Sequence, residues 1–164
     1  RLMKVVVACD TRYASGISFA RHYSNLAFIH VLNYTKLHTW DQLYQQLEME
    51  SNGAHNGPFL NPCRATSFEH STLEWVFQSN QPCTYEVFYS REMSANDQKH
   101  LEAIQRQLTI MNQHTQYICV DDHTIEGIAE LIMFCEWRVL TLSKTLGGNP
   151  WIQDGVDVFK KQLL

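Results

Sequence analysis

The sequence predicts an α/β fold: a three-layer sandwich around a mainly parallel, Rossmann-like sheet of about five strands, with helices on both faces. Three observations carry that reading. Short β-rich apolar runs alternate along the chain with segments of helical periodicity. Two of the runs, residues 4–9 and 117–120, are apolar almost throughout, the pattern of parallel strands buried on both faces. Each of these two ends on aspartate, Asp10 in one and Asp121-Asp122 in the other, and each precedes the start of a helix.

Taken in order, strand 4–9 leads into the loop Thr11-Arg12-Tyr13-Ala14-Ser15-Gly16 and a short helix over about 18–24. The run 26–32 suits a second buried strand. Thr39 followed by Gln42 three residues later is a capping-box pattern, and Leu43, Tyr44 and Leu47 continue at helical spacing. Residues 51–84 hold Pro58, Pro62 and Pro82, with glycines and asparagines, and read as a loop-rich excursion. A second capping box, Ser71 to Glu74, opens a helix inside it. Residues 85–89 form a third strand. Ser94 opens a helix whose stripe is Leu101, Ile104, Leu108 and Met111. Strand 117–120 is followed by a helix over about 124–137, in which Gly127 suggests close packing on a strand. Residues 138–142 read as a fifth strand, 147–150 as a turn, and 154–164 as a last helix.

The length of 164 residues suits a single α/β domain, residues 1–164. No run approaches the roughly 18 apolar residues of a membrane span, so no membrane partner is expected. With 13 basic and 17 acidic residues the formal net charge is −4, and no basic footprint for a long nucleic acid exists. A small anionic ligand or a protein partner, including a second copy of the chain, fits better. The five cysteines contain no CxxC pair, which points to free thiols and a cytoplasmic compartment. Cys9 and Cys119 fall in predicted buried strands and are expected to be inert. The four tryptophans, Trp40, Trp75, Trp137 and Trp151, read as packing anchors.

In open α/β sheets, ligands sit beyond the carboxyl ends of the strands. Asp10, Asp121 and Asp122 are therefore the candidate catalytic and metal-binding acids, with Mg²⁺ the candidate cofactor. The plainer reading is that one of the 121–122 acids caps the following helix. His123 adjoins the pair. Thr11, Arg12, Ser15, Gly16 and Arg21 form a candidate anion-binding loop at a helix N-terminus, without Walker or GxGxxG spacing. The remaining histidines show no zinc spacing, and no GxSxG elbow is present.

The leading expectation is a site for a phosphorylated or otherwise anionic small ligand at the strands' carboxyl edge. If catalytic, it would perform Mg²⁺-assisted phosphoryl or phosphodiester hydrolysis. The chain is similar to PIN-type nucleases only in its strand-end acids. The alternative is a non-catalytic interaction or self-association module on the same scaffold, with 51–84 and the C-terminal segment as contact surfaces.

Overall fold

The structure is a computed structural model that describes residues 26–53, 57–64, 74, 78, 83–151 and 161–162. Strand 4–9, the loop at 11–16, the helix expected from Ser71 apart from Glu74 and Gln78, and most of the last helix lie outside the described residues, as does Trp75.

The described elements run β1 (Phe28–Tyr34), α1 (Trp40–Asn52), β2 (Phe59–Arg64), β3 (Cys83–Ser90), α2 (Ala95–Ile110), β4 (Thr115–Val120) and α3 (Ile125–Thr145). The strands form one sheet in the order β2-β1-β3-β4, and every neighbouring pair is parallel. The predicted α/β fold is present, with helices on both faces. On one face, Trp40 and Tyr44 of α1 and Leu131, Phe134, Val139 and Leu142 of α3 close over Ile29, Val31, Phe88 and Ile118. On the other, Leu101, Ile104 and Leu108 of α2 cover Leu32, Tyr34, Tyr85 and Val87. Period-2 side-chain alternation sends neighbouring residues of β1 and β3 into different layers, so both strands are apolar or aromatic nearly throughout.

Four expectations need correction. First, residues 138–142 are not a fifth strand. They are the second half of α3, which runs to Thr145. Val139, Leu140 and Thr141 favour strands locally, but Leu131, Phe134, Cys135, Val139 and Leu142 keep one helical face buried. Thr141 and Thr145 return their hydroxyls to the carbonyls of Trp137 and Thr141, at 2.6 and 2.9 Å, and so sit inside the helix without loss. The helix stops where Gly147 turns left-handed (φ 74°), with Gly148 N–H donating to Ser143 O and Gly147 N–H to Lys144 O.

Second, the excursion contains β2, paired to β1 from Phe28↔Phe59 to Asn33↔Arg64. Pro62 and Asn61 disguise it. Proline has no N–H for a ladder and is tolerated on an outer strand, and β2 is outermost among the described strands.

Third, Cys119 is not sealed in a buried strand: β4 is parallel, and it is the other outermost strand among those described. Ile118 and Val120 are buried under α3, while Tyr117 and Cys119 face the side on which α2 covers β1 and β3. Cys119 is consequently exposed, not sealed in a sheet. Among the described residues, no disulfide links Cys63, Cys83, Cys119 or Cys135 to one another.

Fourth, Trp40 is a packing anchor at 8% exposure, whereas Trp151 is 80% exposed and anchors nothing. The capping box at Thr39 also does not close: its hydroxyl caps no N–H, although α1 does begin at Trp40.

Candidate site at the carboxyl edge

The sheet order makes β1 and β3 the place where the chain reverses direction across the sheet. From β1 the chain passes through α1 to β2 on one side. From β3 it passes through α2, on the opposite face, to β4 on the other side. Such a reversal opens a crevice at the strands' carboxyl ends. Three loops meet there: Thr35–Thr39 after β1, Arg91–Ser94 after β3, and Asp121–Thr124 after β4.

Asp122 ties the three loops together. Its side chain is fully buried. Oδ2 accepts the Lys36 backbone N–H at 2.7 Å, and Oδ1 accepts the Ser90 hydroxyl at 2.6 Å. The β4 loop thus reaches across the end of β3 to hold the β1 loop. Burial alone would raise the Asp122 carboxyl. The Ser90 hydroxyl, the Lys36 N–H and the adjacent His123 outweigh it and hold the carboxyl below its ordinary value. The sign of the linkage follows: Asp122 contributes its full stability above the ordinary carboxylate range and loses it as pH falls through the lowered folded value.

Around this buried clasp lies a ring of exposed charge. Lys36 Nζ is 2.9 Å from His123 Nε2. The same His123 nitrogen is 3.7 Å from Glu92 and 3.6 Å from Asp122. Arg91 Nη1 lies 3.5 Å from Asp121 Oδ2. Apart from the contact with buried Asp122, these are solvent-facing pairs of small energetic worth, so an incoming anion can compete for Lys36 and Arg91 at low cost. Next to them, an open groove runs from Ser90, Arg91 and Met93 along Gln98, Glu102 and Gln105 of α2.

Local sequence explains each placement. Ser94 caps α2 by accepting the Asp97 N–H, so the β3–α2 loop is limited to Arg91, Glu92 and Met93. Thr124, not an aspartate, caps α3 by accepting the Gly127 N–H at 3.1 Å. The capping role anticipated for Asp121 or Asp122 therefore falls to the next threonine. Gly127 lets the first turn of α3 approach the Asp121 carbonyl, as its position near the helix start suggested.

Asp121 and Asp122 thus lie together at the predicted edge but face different partners. Asp122 is committed inward and Asp121 outward to Arg91. Among the described residues, no group of three His, Cys, Asp or Glu side chains converges as a metal site. Asp10, Thr11, Arg12, Ser15, Gly16 and Arg21 lie outside the described residues. Lys36, Ser90 and Arg91 escaped the sequence reading. They stand at or just after the ends of β1 and β3, so the strand-end rule applied to those strands would have found them.

Asp122→Asn should cost about 2 kcal/mol, because an amide cannot replace two hydrogen bonds to a buried anion. Urea melts near neutral pH would show the loss. The variant should also lack the wild-type decline on acidification below the carboxylate range, and an unchanged acid profile would contradict the clasp.

No family model matches the chain, and no curated protein matches it. Solved structures do. A hypothetical protein, TT0462, from Thermus thermophilus superposes with a TM-score of 0.79 at 12% identity, over 99% of this chain and 49% of that one. A glucose-6-phosphate isomerase from Chlamydia trachomatis superposes with a TM-score of 0.70 at 16% identity, over 84% of this chain and 34% of that one. The chain spans half or less of each of these proteins, and at such identities the likeness establishes a shared α/β fold.

Proposed function

We propose that the chain binds a phosphorylated, hydroxyl-rich small molecule at the carboxyl edge, with sugar phosphates as the ligand class. The observation that carries this reading is the gathering of Lys36, His123 and Arg91 beside the β1–β3 crevice. Two cations and a protonatable imidazole suit a phosphoryl group. The amides of Gln98 and Gln105 and the carboxylate of Glu102 line the adjoining groove, where they can exchange hydrogen bonds with hydroxyls. The likeness to a glucose-6-phosphate isomerase supports the same ligand class.

Hydrolysis assisted by Mg²⁺ is the catalytic form of this reading. The internal hydrogen bonds of Asp122 leave Asp121, with Asp10, as the acids for such a cation.

Calorimetry with glucose 6-phosphate, inorganic phosphate and glucose tests the proposal. Glucose 6-phosphate is expected to bind most tightly and unphosphorylated glucose weakest. Saturation at ~100 times the dissociation constant should add roughly 2.7 kcal/mol of stability, visible in a melt. Lys36→Ala should weaken glucose 6-phosphate binding about tenfold, equivalent to about 1.4 kcal/mol. Mg²⁺ or Mn²⁺ that raises the melting temperature of wild type but not of Asp121→Asn would support the catalytic form. No response to any phosphate overturns the binding site and favours the non-catalytic interaction module.

A further inference from the structure

The groove beside the carboxyl edge has more room than a monosaccharide phosphate fills. It encloses about 640 Å³, within the roughly 300–1,000 Å³ of small-molecule sites. Its mouth is at Arg91 and Glu92, and Glu92 lies 3.7 Å from His123 of the anion ring. From there it follows α2 from Gln98 to Gln105. That stretch of helix rises about 10 Å, a span longer than one sugar ring.

The groove has two chemically different sides. Gln98, Glu102 and Gln105 are spaced four and three residues apart, so they stand on one flank of α2. Gln98 Nε2 donates to Glu102 Oε1 at 3.3 Å, which sets an amide and a carboxylate side by side along that flank. Tyr89, Met93 and Leu101 supply an aromatic and apolar side. All three belong to the hydrophobic layer under α2. The Tyr89 hydroxyl is hydrogen-bonded to Cys119, its register partner on β4, and this fixes the ring.

A planar heterocyclic base needs both sides at once. Its faces stack on aromatic and apolar groups, and its edges exchange hydrogen bonds with amides and carboxylates. We propose that the sugar phosphate bound at the carboxyl edge is a ribonucleoside 5′-phosphate. Its phosphate sits at Lys36 and Arg91, its ribose at the mouth of the groove, and its base against Tyr89, Met93 and the polar flank of α2. The proposal rests on the ligand class proposed above and narrows it, since a nucleotide is a ribose phosphate that carries a base.

Charge sets the orientation. The Glu102 carboxylate repels a phosphate from the length of the groove and leaves it at the mouth, beside Arg91. The neutral base takes the inner position. Adenine has the matching edge: a glutamine amide pairs with its N6 and N7, and a carboxylate accepts from the remaining N6 hydrogen.

Calorimetry with adenosine 5′-phosphate, ribose 5-phosphate and adenosine tests the assignment. The nucleotide is expected to bind about tenfold more tightly than ribose 5-phosphate, because the base adds stacking and edge contacts. Gln105→Ala keeps a good helix former on α2. It should weaken the nucleotide about fivefold and leave ribose 5-phosphate unchanged, as loss of one hydrogen-bonding side chain does. Lys36→Ala should weaken both phosphates and not adenosine. Equal affinity for the nucleotide and ribose 5-phosphate overturns the groove assignment and leaves the anion site standing. A preference for the nucleotide that survives Gln105→Ala intact puts the base elsewhere and also overturns it. Adenosine binding as tightly as its 5′-phosphate, or no binding by either phosphate, overturns the anion site and the nucleotide with it.

Discussion

Arg138→Met is expected to remove about 3–5 kcal/mol of stability near neutral pH, because it takes away a guanidinium that two buried carboxylates face. In wild type one guanidinium faces the carboxyls of both Glu48 and Glu86. Methionine fills much of the same volume, so lost packing is a minor part of the cost. The Tyr44 hydroxyl and the Asn52 amide still donate to the two acids, but neither supplies charge. For a domain with a total stability of about 5–15 kcal/mol, the variant is close to unfolding. Denaturant titrations near pH 7.5 measure it. Equal stability of the variant and wild type near pH 7.5 would show that Arg138 is not the charge partner of the two acids.

The second large effect is expected at Gly127. An alanine Cβ there would stand 1.9 Å from the Asp121 carbonyl oxygen and 2.7 Å from its Cβ. The first obstacle is backbone, which cannot rotate aside as a side-chain tip would. The first turn of α3 must therefore lift away from the end of β4. Alanine favours helix over glycine by ~1 kcal/mol, too little to offset a clash of this depth. Gly127→Ala should lose roughly 3 kcal/mol, as severe overpacking does. It should also weaken the proposed phosphate binding, since the displaced segment carries Asp121, Asp122 and His123. Melts and calorimetry on one preparation separate the two losses. A more stable Gly127→Ala would mean that the helix does not approach the strand so closely.

The geometry of the candidate site was legible where short-range chemistry dictates it. The carboxyl edge, the 121–122 acids and the close approach at Gly127 follow from a strand ending on aspartate before a helix. The role of Asp122 does not. Its partners, Lys36 and Ser90, lie 86 and 32 residues away in sequence. Nothing local distinguishes an aspartate that binds a cation from one that clasps two loops.

The fold divides along the same line. By itself the sequence determined the α/β class, the buried strand at β1, the helix opened by Ser94 and the glycine turn that ends α3. Each depends on a periodicity, a cap or a φ preference contained within a few residues. Only the tertiary structure decided that residues 138–142 continue a helix, because Val139 and Leu142 gain more by packing over the sheet than their local β preference can offer. It also decided that Asn61 and Pro62 join a strand that is outermost among those described, because their segment pairs with β1, a partner that no local pattern reveals. The position of β4 at the edge of the described sheet, and with it the exposure of Cys119, was settled by strand order. Strand order depends on which distant segments bury one another, and a single strand's residues carry no record of their neighbours.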